Sequence, residues 1–480
     1  MNSGQIIGRE EECEKLKNCM ESDEAQLVLV YGRRRVGKTF LVNEFFENRF
    51  DFKFTGEYKA TKEVQLRNFA YELSGQTNKE ITAPKDWQEA FHLLYVYIKS
   101  LPATEKHVVF FDEMPWMDSR RSGFLNAFEY FWNSHGSAIK NLVFIVCGSA
   151  TSWLRDNIMH NKGGLYNRLT CRIYLRPFNL ATTEAFLRGK GIEWPRFNIA
   201  ECYMIMGGIP YYLRLLSPQL TYNENIDSIF FRKRAELWDE FEHLYRTLFS
   251  SSEKYIKVVE ALGSKRRGLS REEISEITNF PQNGELTRIL NDLIDSDFVR
   301  MNYFWGNKKK KSLYQLADYY TLFYYKFIKD GYGNDEHFWS HSIDSSSRIA
   351  WRGFTFEQLC LDHIYQIKNK LGIGGVLTQH SIWYKKADEV YDGVQIDLLI
   401  DRQDKVITIC EMKFSSDEFV IDKEYDKSLR RKMETFRLVS GTKKGVGLAM
   451  ITTYGVKKNM YSDIVSRQVI LDDLFEDNRW

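Results

Sequence analysis

Charge of one sign is what this chain has least of: 67 Lys and Arg stand against 65 Asp and Glu, a formal net charge of +2 over 480 residues. No global basicity advertises nucleic acid, so any such surface has to be local. Cysteine is sparse as well. The 7 cysteines stand singly with no C-x-x-C pair, which excludes a zinc ribbon or a disulfide framework and fits small buried hydrophobes in a reducing compartment. No run of about 18 apolar residues occurs, and the start, MNSGQIIGREEECEKL, lacks the apolar core of a signal peptide. The expectation is a cytoplasmic chain with no membrane partner. What is present, 43% hydrophobic and 28% charged residues, describes a well-cored globular protein of roughly two to four domains.

The strongest local pattern is LVLVYGRRRVGKTFLVNEFF, an apolar strand running through Gly32, Arg33, Arg34, Arg35, Val36, Gly37, Lys38 and Thr39 into an amphipathic helix that begins near Phe40. This is a phosphate-binding loop in its required strand-to-helix context. Its backbone N–H groups turn inward around phosphates, Lys38 reaches their oxygens, and the Thr39 hydroxyl ligates Mg²⁺. Further on, HVVFFDEMPWMD ends an apolar strand in Asp112-Glu113. Asp112 is expected on the metal and Glu113 beside the attacking water, which makes ATP hydrolysis the expected reaction. A third apolar run, NLVFIVCGSATSWL, brings Ser149 to a strand tip, either as a contact to the terminal phosphate or as a simple serine cap. Arg168 and Arg172, in GGLYNRLTCRIYLRPF, are candidates for a charge that stabilises the transferring phosphoryl group; Arg168 is preferred.

With IIGREEECEKL, YGRRRVGKT, FFDEMPWM, LYNRL and GGIPYYL in view, the first half of the chain resembles the archaeal-type ATPases of the AAA+/STAND group. The resemblance implies a P-loop parallel-sheet core with a helical lid, ATP and Mg²⁺ as ligands, and a place beside the nucleotide base for Ile7, Gly8 and Arg9. The sensor turn departs from many AAA+ proteins, since CGSATSW offers Ser149 where they carry asparagine.

From residue 250 the pattern becomes short helices and a hairpin, read as a winged helix, with Ser270-x-x-Glu273 as a capping box. Its third helix carries Glu285, Asp292, Asp295 and Asp297 against Arg288, the wrong charge for a major groove, whereas Lys308 to Lys311 in the wing could hold phosphates. The aromatic run YYTLFYYKFI reads as core or as an interface, and DGYGNDEHFWSHSIDSSS reads as an interdomain linker.

Then QIDLLIDRQDKVITICEMKF reads as a hairpin bringing Asp397 close to Glu411 and Lys413, two residues apart and so on one face. Asp397 and Glu411 offer hard oxygens to Mg²⁺, and Lys413 would position water or neutralise charge. The blander reading is a hairpin with cross-strand ion pairs. The arrangement resembles the PD-(D/E)xK nucleases, which implies a further metal-side acid at Glu357 on the preceding helix. Lys427, Arg430, Arg431 and Lys432 on the helix that follows are expected to meet phosphates.

The expected architecture is α/β and multidomain: an ATPase core over 1–178, a helical lid over 179–248, a winged helix over 249–330 and a restriction-endonuclease-like domain over 345–480. The expected function is nucleotide-dependent control of a Mg²⁺-dependent nuclease-like domain acting on or binding DNA or RNA. The alternative is a STAND-type switch whose terminal domain is an inert binding module for a protein partner, with a homo-oligomer as the further partner considered.

Overall fold

Five apolar runs of the first half become five parallel strands: β1 (Gln26–Tyr31), β2 (Phe52–Thr55), β3 (His107–Asp112), β4 (Leu142–Gly148) and β5 (Cys171–Tyr174), in the order β2-β3-β4-β1-β5. β3 and β4 are buried at every residue, as continuous apolar strands covered by helices on both faces should be. The computed structural model describes residues 6–149, 151–159, 163–249, 251–306, 312–331, 335–389 and 391–477. The wing lysines 308–311 lie outside them. Two compact units result, Met1–Pro177 with Arg246–Ser250, and Phe178–Tyr245 with Ser251–Trp480.

In the first unit the helices Lys62–Thr77 and Trp87–Ser100 start where Thr61 and Asp86 accept N–H bonds from Val64 and Glu89. They press Phe69, Trp87 and Phe91 onto Phe52, Phe54 and Phe111 of the sheet. That aromatic core leaves the carboxyl ends of β1, β3 and β4 as neighbours at one edge.

In the second unit the helices Ser252–Gly263, Arg271–Thr278 and Gly284–Asp295 precede an antiparallel pair, β6 (Val299–Tyr303) and β7 (Ser312–Leu316). The Ser270–Glu273 capping box is present in both directions. One acid of the third helix is not on its surface: Asp292 is buried and accepts the Tyr255 hydroxyl at 2.6 Å. The terminal sheet has the order β12-β11-β10-β9-β8, from β8 (Thr378–Lys385), β9 (Val394–Arg402), β10 (Val406–Lys413), β11 (Gly445–Thr452) and β12 (Arg467–Ile470). It is mixed, with β8, β9 and β10 antiparallel and β10, β11 and β12 parallel.

Of the stretch read as a linker, residues 332–334 lie outside the described residues, and the part from Asp335 on is packed instead. Trp339 is fully buried against Phe323, Phe327 and Trp351, and a distant acid caps its backbone: Asp227 accepts the N–H groups of Trp339 and Ser340. Ser345 then starts the helix Ser346–Asp362, so Glu357 lies well inside that helix and not in its first turns. Buried ion pairs pin this helix to the helix Arg196–Met206. Glu201 is 1% exposed and meets Arg352 directly and Arg348 at 3.7 Å, while the Arg348 guanidinium lies 3.9 Å over the Trp339 ring. Replacing Glu201 by Ala strands two arginines in the interior. The expected cost is about 3–5 kcal/mol, read as a lowered urea midpoint for this unit; an unchanged midpoint would remove Glu201 as the anchor of the acid-bearing helix.

Candidate functional sites: the phosphate loop and the terminal carboxylates

β1 ends in the phosphate loop because Gly32 passes under the chain at φ 146°, where an added Cβ would stand 2.3 Å from the Leu175 carbonyl oxygen. Gly37, at φ 90°, then turns the chain into the helix Lys38–Phe45. Both positions require what only glycine provides without strain. Lys38 is buried and donates to the carbonyls of Gly32 and Arg33 at 3.1 and 2.9 Å, so its ammonium is held inside the curl of its own loop. Arg9 closes the far side: its Nη2 donates to the carbonyls of Val36 and Arg176 at 3.4 and 2.8 Å, tying the segment that contains Gly8 to the loop and to the chain after β5.

The Thr39 hydroxyl donates to the Asp112 carboxylate at 2.8 Å. Two oxygens at neighbouring corners of an octahedral Mg²⁺ shell stand about 2.9 Å apart, so this pair fits the cation. Glu113 sits at the tip of β3 in the left-handed region, φ 49° and ψ 46°. Its carboxylate accepts the Ser149 hydroxyl at 3.1 and 3.2 Å and the Ser149 N–H at 3.3 Å. Burial pushes the Glu113 carboxyl above the usual glutamate range, with Lys38 and Ser149 pulling the other way. Ser149 thus lies against Glu113, a partnership invisible in the sequence because it depends on β4 lying beside β3. Arg168 is exposed in the turn before β5, with no ion pair among the described residues, and Arg172 is exposed on that strand.

In the second unit the β9–β10 register pairs Cys410 with Leu398, and one further step sets Glu411 across from Asp397. Lys413 is 3.2 Å from Glu411. Glu357 joins them from the preceding helix: burial, then Asp397 and Glu411, push its carboxyl up to about 8, against the opposing pull of Lys413. Burial also raises Asp397, with Gln395 and the lysines acting against it. Glu411 goes the other way. Burial alone would raise it, but Lys432, Lys413 and the Tyr425 hydroxyl hold it below the usual range. Tyr425 donates at 2.7 Å and Lys432 lies at 2.6 Å.

The four acids and cations meet as expected, but among the described residues no three His, Cys, Asp or Glu side chains converge on a metal position. The basic helix Lys423–Ser440 also differs from expectation: Lys427 pairs with Glu424, Arg430 with Asp426, Arg431 with Asp392 and Lys432 with Glu411. These four cations are engaged by carboxylates, where the sequence reading held them out for phosphate. Tyr425 was missed because nothing in the sequence marks a tyrosine two helical turns before Lys432 as a hydrogen-bond donor to Glu411.

Residues 6–216 match the family model described as an ATPase domain predominantly from Archaea. An uncharacterized protein of Methanocaldococcus jannaschii is 24% identical over 413 residues, covering 85% of this chain and 87% of its own. An uncharacterized ATP-binding protein of the same archaeon is 46% identical over 44 residues, 9% of this chain and 75% of its own. Among solved structures, the Walker-type ATPase of Pyrococcus abyssi aligns with TM-score 0.47 and 20% identity, covering 66% of this chain and 95% of that one. The ORC2 protein of Aeropyrum pernix aligns at 0.41 and 14%, covering 66% and 93%. No helix among the described residues is long and apolar enough to cross a membrane. The loop that holds Lys38, the Thr39–Asp112 pair and the matched segment agree, and residues 6–216 are a P-loop ATPase domain of this predominantly archaeal family.

Proposed function

We propose that Glu113 is the general base of ATP hydrolysis in this domain and that nucleotide state controls a restriction-endonuclease-like terminal domain that binds nucleic acid. The single observation that carries the first part is the carboxylate of Glu113, buried at the tip of β3 and held by two donors from Ser149. Thr39 and Asp112 would hold Mg²⁺, which supplies charge neutralisation on the phosphates when bound. Lys38 would exchange its two loop carbonyls for phosphate oxygens. Glu113 must be ionised to take a proton from water, and the Ser149 hydroxyl favours that ionised form while fixing where the carboxylate points.

For the terminal domain, the reading is supported by Asp397 and Glu411 lying across from each other, by Lys413 beside them and by Glu357 above. The oxygens of Glu411 are taken by Tyr425 and Lys432, so the residues as arranged do not fit a resident cation. Binding therefore stands ahead of cutting. A nuclease restrained by Lys432 is the second reading, favoured by the Asp397–Glu411 juxtaposition.

Glu113→Gln should leave ATP bound but lower kcat by about 10²–10⁴-fold, checked by phosphate release under saturating ATP. With a base whose pKa is raised, wild-type kcat should fall as pH drops through a value above the ordinary glutamate range. Ser149→Ala removes a donor to the charged form, so that acid limb should move to still higher pH. An increased KM with an unmoved limb would instead make Ser149 a nucleotide contact. In the presence of Mg²⁺ the wild-type protein should retard DNA or RNA in a gel and leave it intact. Nicking that appears in Lys432→Met and vanishes when Asp397→Ala is added would establish the restrained nuclease, and absence of any retardation would sink the nucleic-acid reading.

A further inference from the structure

A cavity of about 460 Å³ in the second unit is walled by the winged helix on one side and by the terminal domain on the other. The two walls are joined by more than proximity. Phe304 forms a parallel bridge with Ile382, the Trp305 N–H donates to the Ile382 carbonyl at 2.9 Å, and the Trp305 indole donates to Asp401 at 3.0 Å. From the β6 strand, Arg300 reaches Gln358 at 3.1 Å and also Asp362, both on the acid-bearing helix. The cavity is thus a built feature of this unit.

Its lining has three kinds of chemistry. Arg266, exposed in the turn between the first two winged-helix helices, forms no ion pair among the described residues; its guanidinium lies 5.7 Å from the Phe354 ring. Tyr384 offers a ring 38% exposed, with the Arg267 guanidinium 5.9 Å from its centre. Asn302 and Gln358 place amide groups in the wall, and Glu357 and Asp397 form its acidic end. Arg266 and Glu357 both line the cavity, which places cation and acid in one compartment.

A guanidinium at the rim, an exposed aromatic ring, and amides with both donors and acceptors are what an unpaired nucleotide requires: one for its phosphate, one for the face of its base, one for the base edge. The volume lies within the usual range for one small-molecule ligand, about 300–1,000 Å³, and is far too small for a duplex. On the basic helix Lys423–Ser440, Lys427, Arg430, Arg431 and Lys432 are already paired with carboxylates, whereas Arg266 is not among the described residues.

We propose that this cavity takes one unpaired nucleotide of a single strand, its phosphate at Arg266, its base against Tyr384, and its far end facing Glu357 and Asp397. The inference rests on the terminal domain being a nucleic-acid module and adds to it that the winged helix supplies half of the binding wall. Single-strand selectivity follows, because only a base that has left its pair can enter. The wing's own lysines are not needed for this contact.

The test uses the full chain and fluorescence anisotropy with short labelled oligo(dT), oligo(rU) and a blunt duplex, with free UMP as competitor. Single strands should bind at least about tenfold more tightly than the duplex, and Arg266→Glu should weaken them by at least about tenfold and lower the salt slope by about one. Arg266→Lys should restore most of the affinity, and phosphate release from ATP serves as the fold control. Tyr384→Ala should weaken binding with the salt slope unchanged. Equal affinity for duplex and single strand, or binding indifferent to Arg266→Glu, would overturn this proposal while leaving the nucleic-acid module intact. No binding of any polynucleotide would sink both, and competition by UMP as effective as the oligomer would replace the strand with a free nucleotide. The preference between oligo(dT) and oligo(rU) identifies the strand chemistry, and either outcome supports the cavity.

Discussion

Everything chemical in the first unit depends on one constraint, the insertion of β4 between β1 and β3 in a wholly parallel sheet. Parallel strands end at the same edge, so the loop after β1, the acids after β3 and the serine after β4 are delivered side by side by backbone hydrogen bonding alone. The strand that leads into the loop of Lys38 and Thr39 is then separated from the strand that ends at Asp112 and Glu113 by the width of one other strand. Thr39 can still reach Asp112 across it, while Glu113 is left beside the strand tip that carries Ser149. A sheet with β1 next to β3 would leave Glu113 without that neighbour.

Two buried carboxylates, Glu113 and Glu411, are compensated differently. Glu113 keeps neutral donors from Ser149 and a lysine acting at a distance, and its carboxyl stays above the usual range. Glu411 is gripped by two lysines and a tyrosine and stays below it. Burying a charge costs several kcal/mol unless it is compensated, and the compensation chosen decides what the acid can do. A carboxylate left partly uncompensated is a better proton acceptor; one fully matched by ammonium groups is already satisfied and has little to gain from another ligand.

Much of the first unit was legible in the sequence because its signals are local. The phosphate loop spends eight consecutive residues on one task, and the strand ends at Asp112 and Ser149 are marked by apolar runs that stop. What was not legible is which strand tips touch, since that depends on sheet order, and so Ser149 could be placed at a tip without its partner. In the second unit the hairpin and the capping box were legible for the same local reason. The segment around Trp339 was misread because its Asp, Ser and Gly letters resemble a linker, although one tryptophan can bury a segment if distant acids such as Asp227 cap it. The basic helix was misread in two ways. Glu424–Lys427 and Asp426–Arg430 have helical spacing and could have been paired on sequence alone, whereas Arg431–Asp392 and Lys432–Glu411 cross between elements and could not.

The pairing of Lys432 with Glu411 also sets what it would take to free that carboxylate. A restraint built from a lysine on a helix and a carboxylate on a strand is removed by a displacement of one side chain, and needs no unfolding. Lys432 is half-buried and Tyr425 sits two helical turns before it on the same face, so a small rotation of the helix Lys423–Ser440 would withdraw both from Glu411 together. Lys413, on the same strand as Glu411, would stay behind. The helix is therefore the element whose position distinguishes a satisfied Glu411 from an available one, and its two ion pairs to other elements, Arg431–Asp392 and Lys432–Glu411, hold it there.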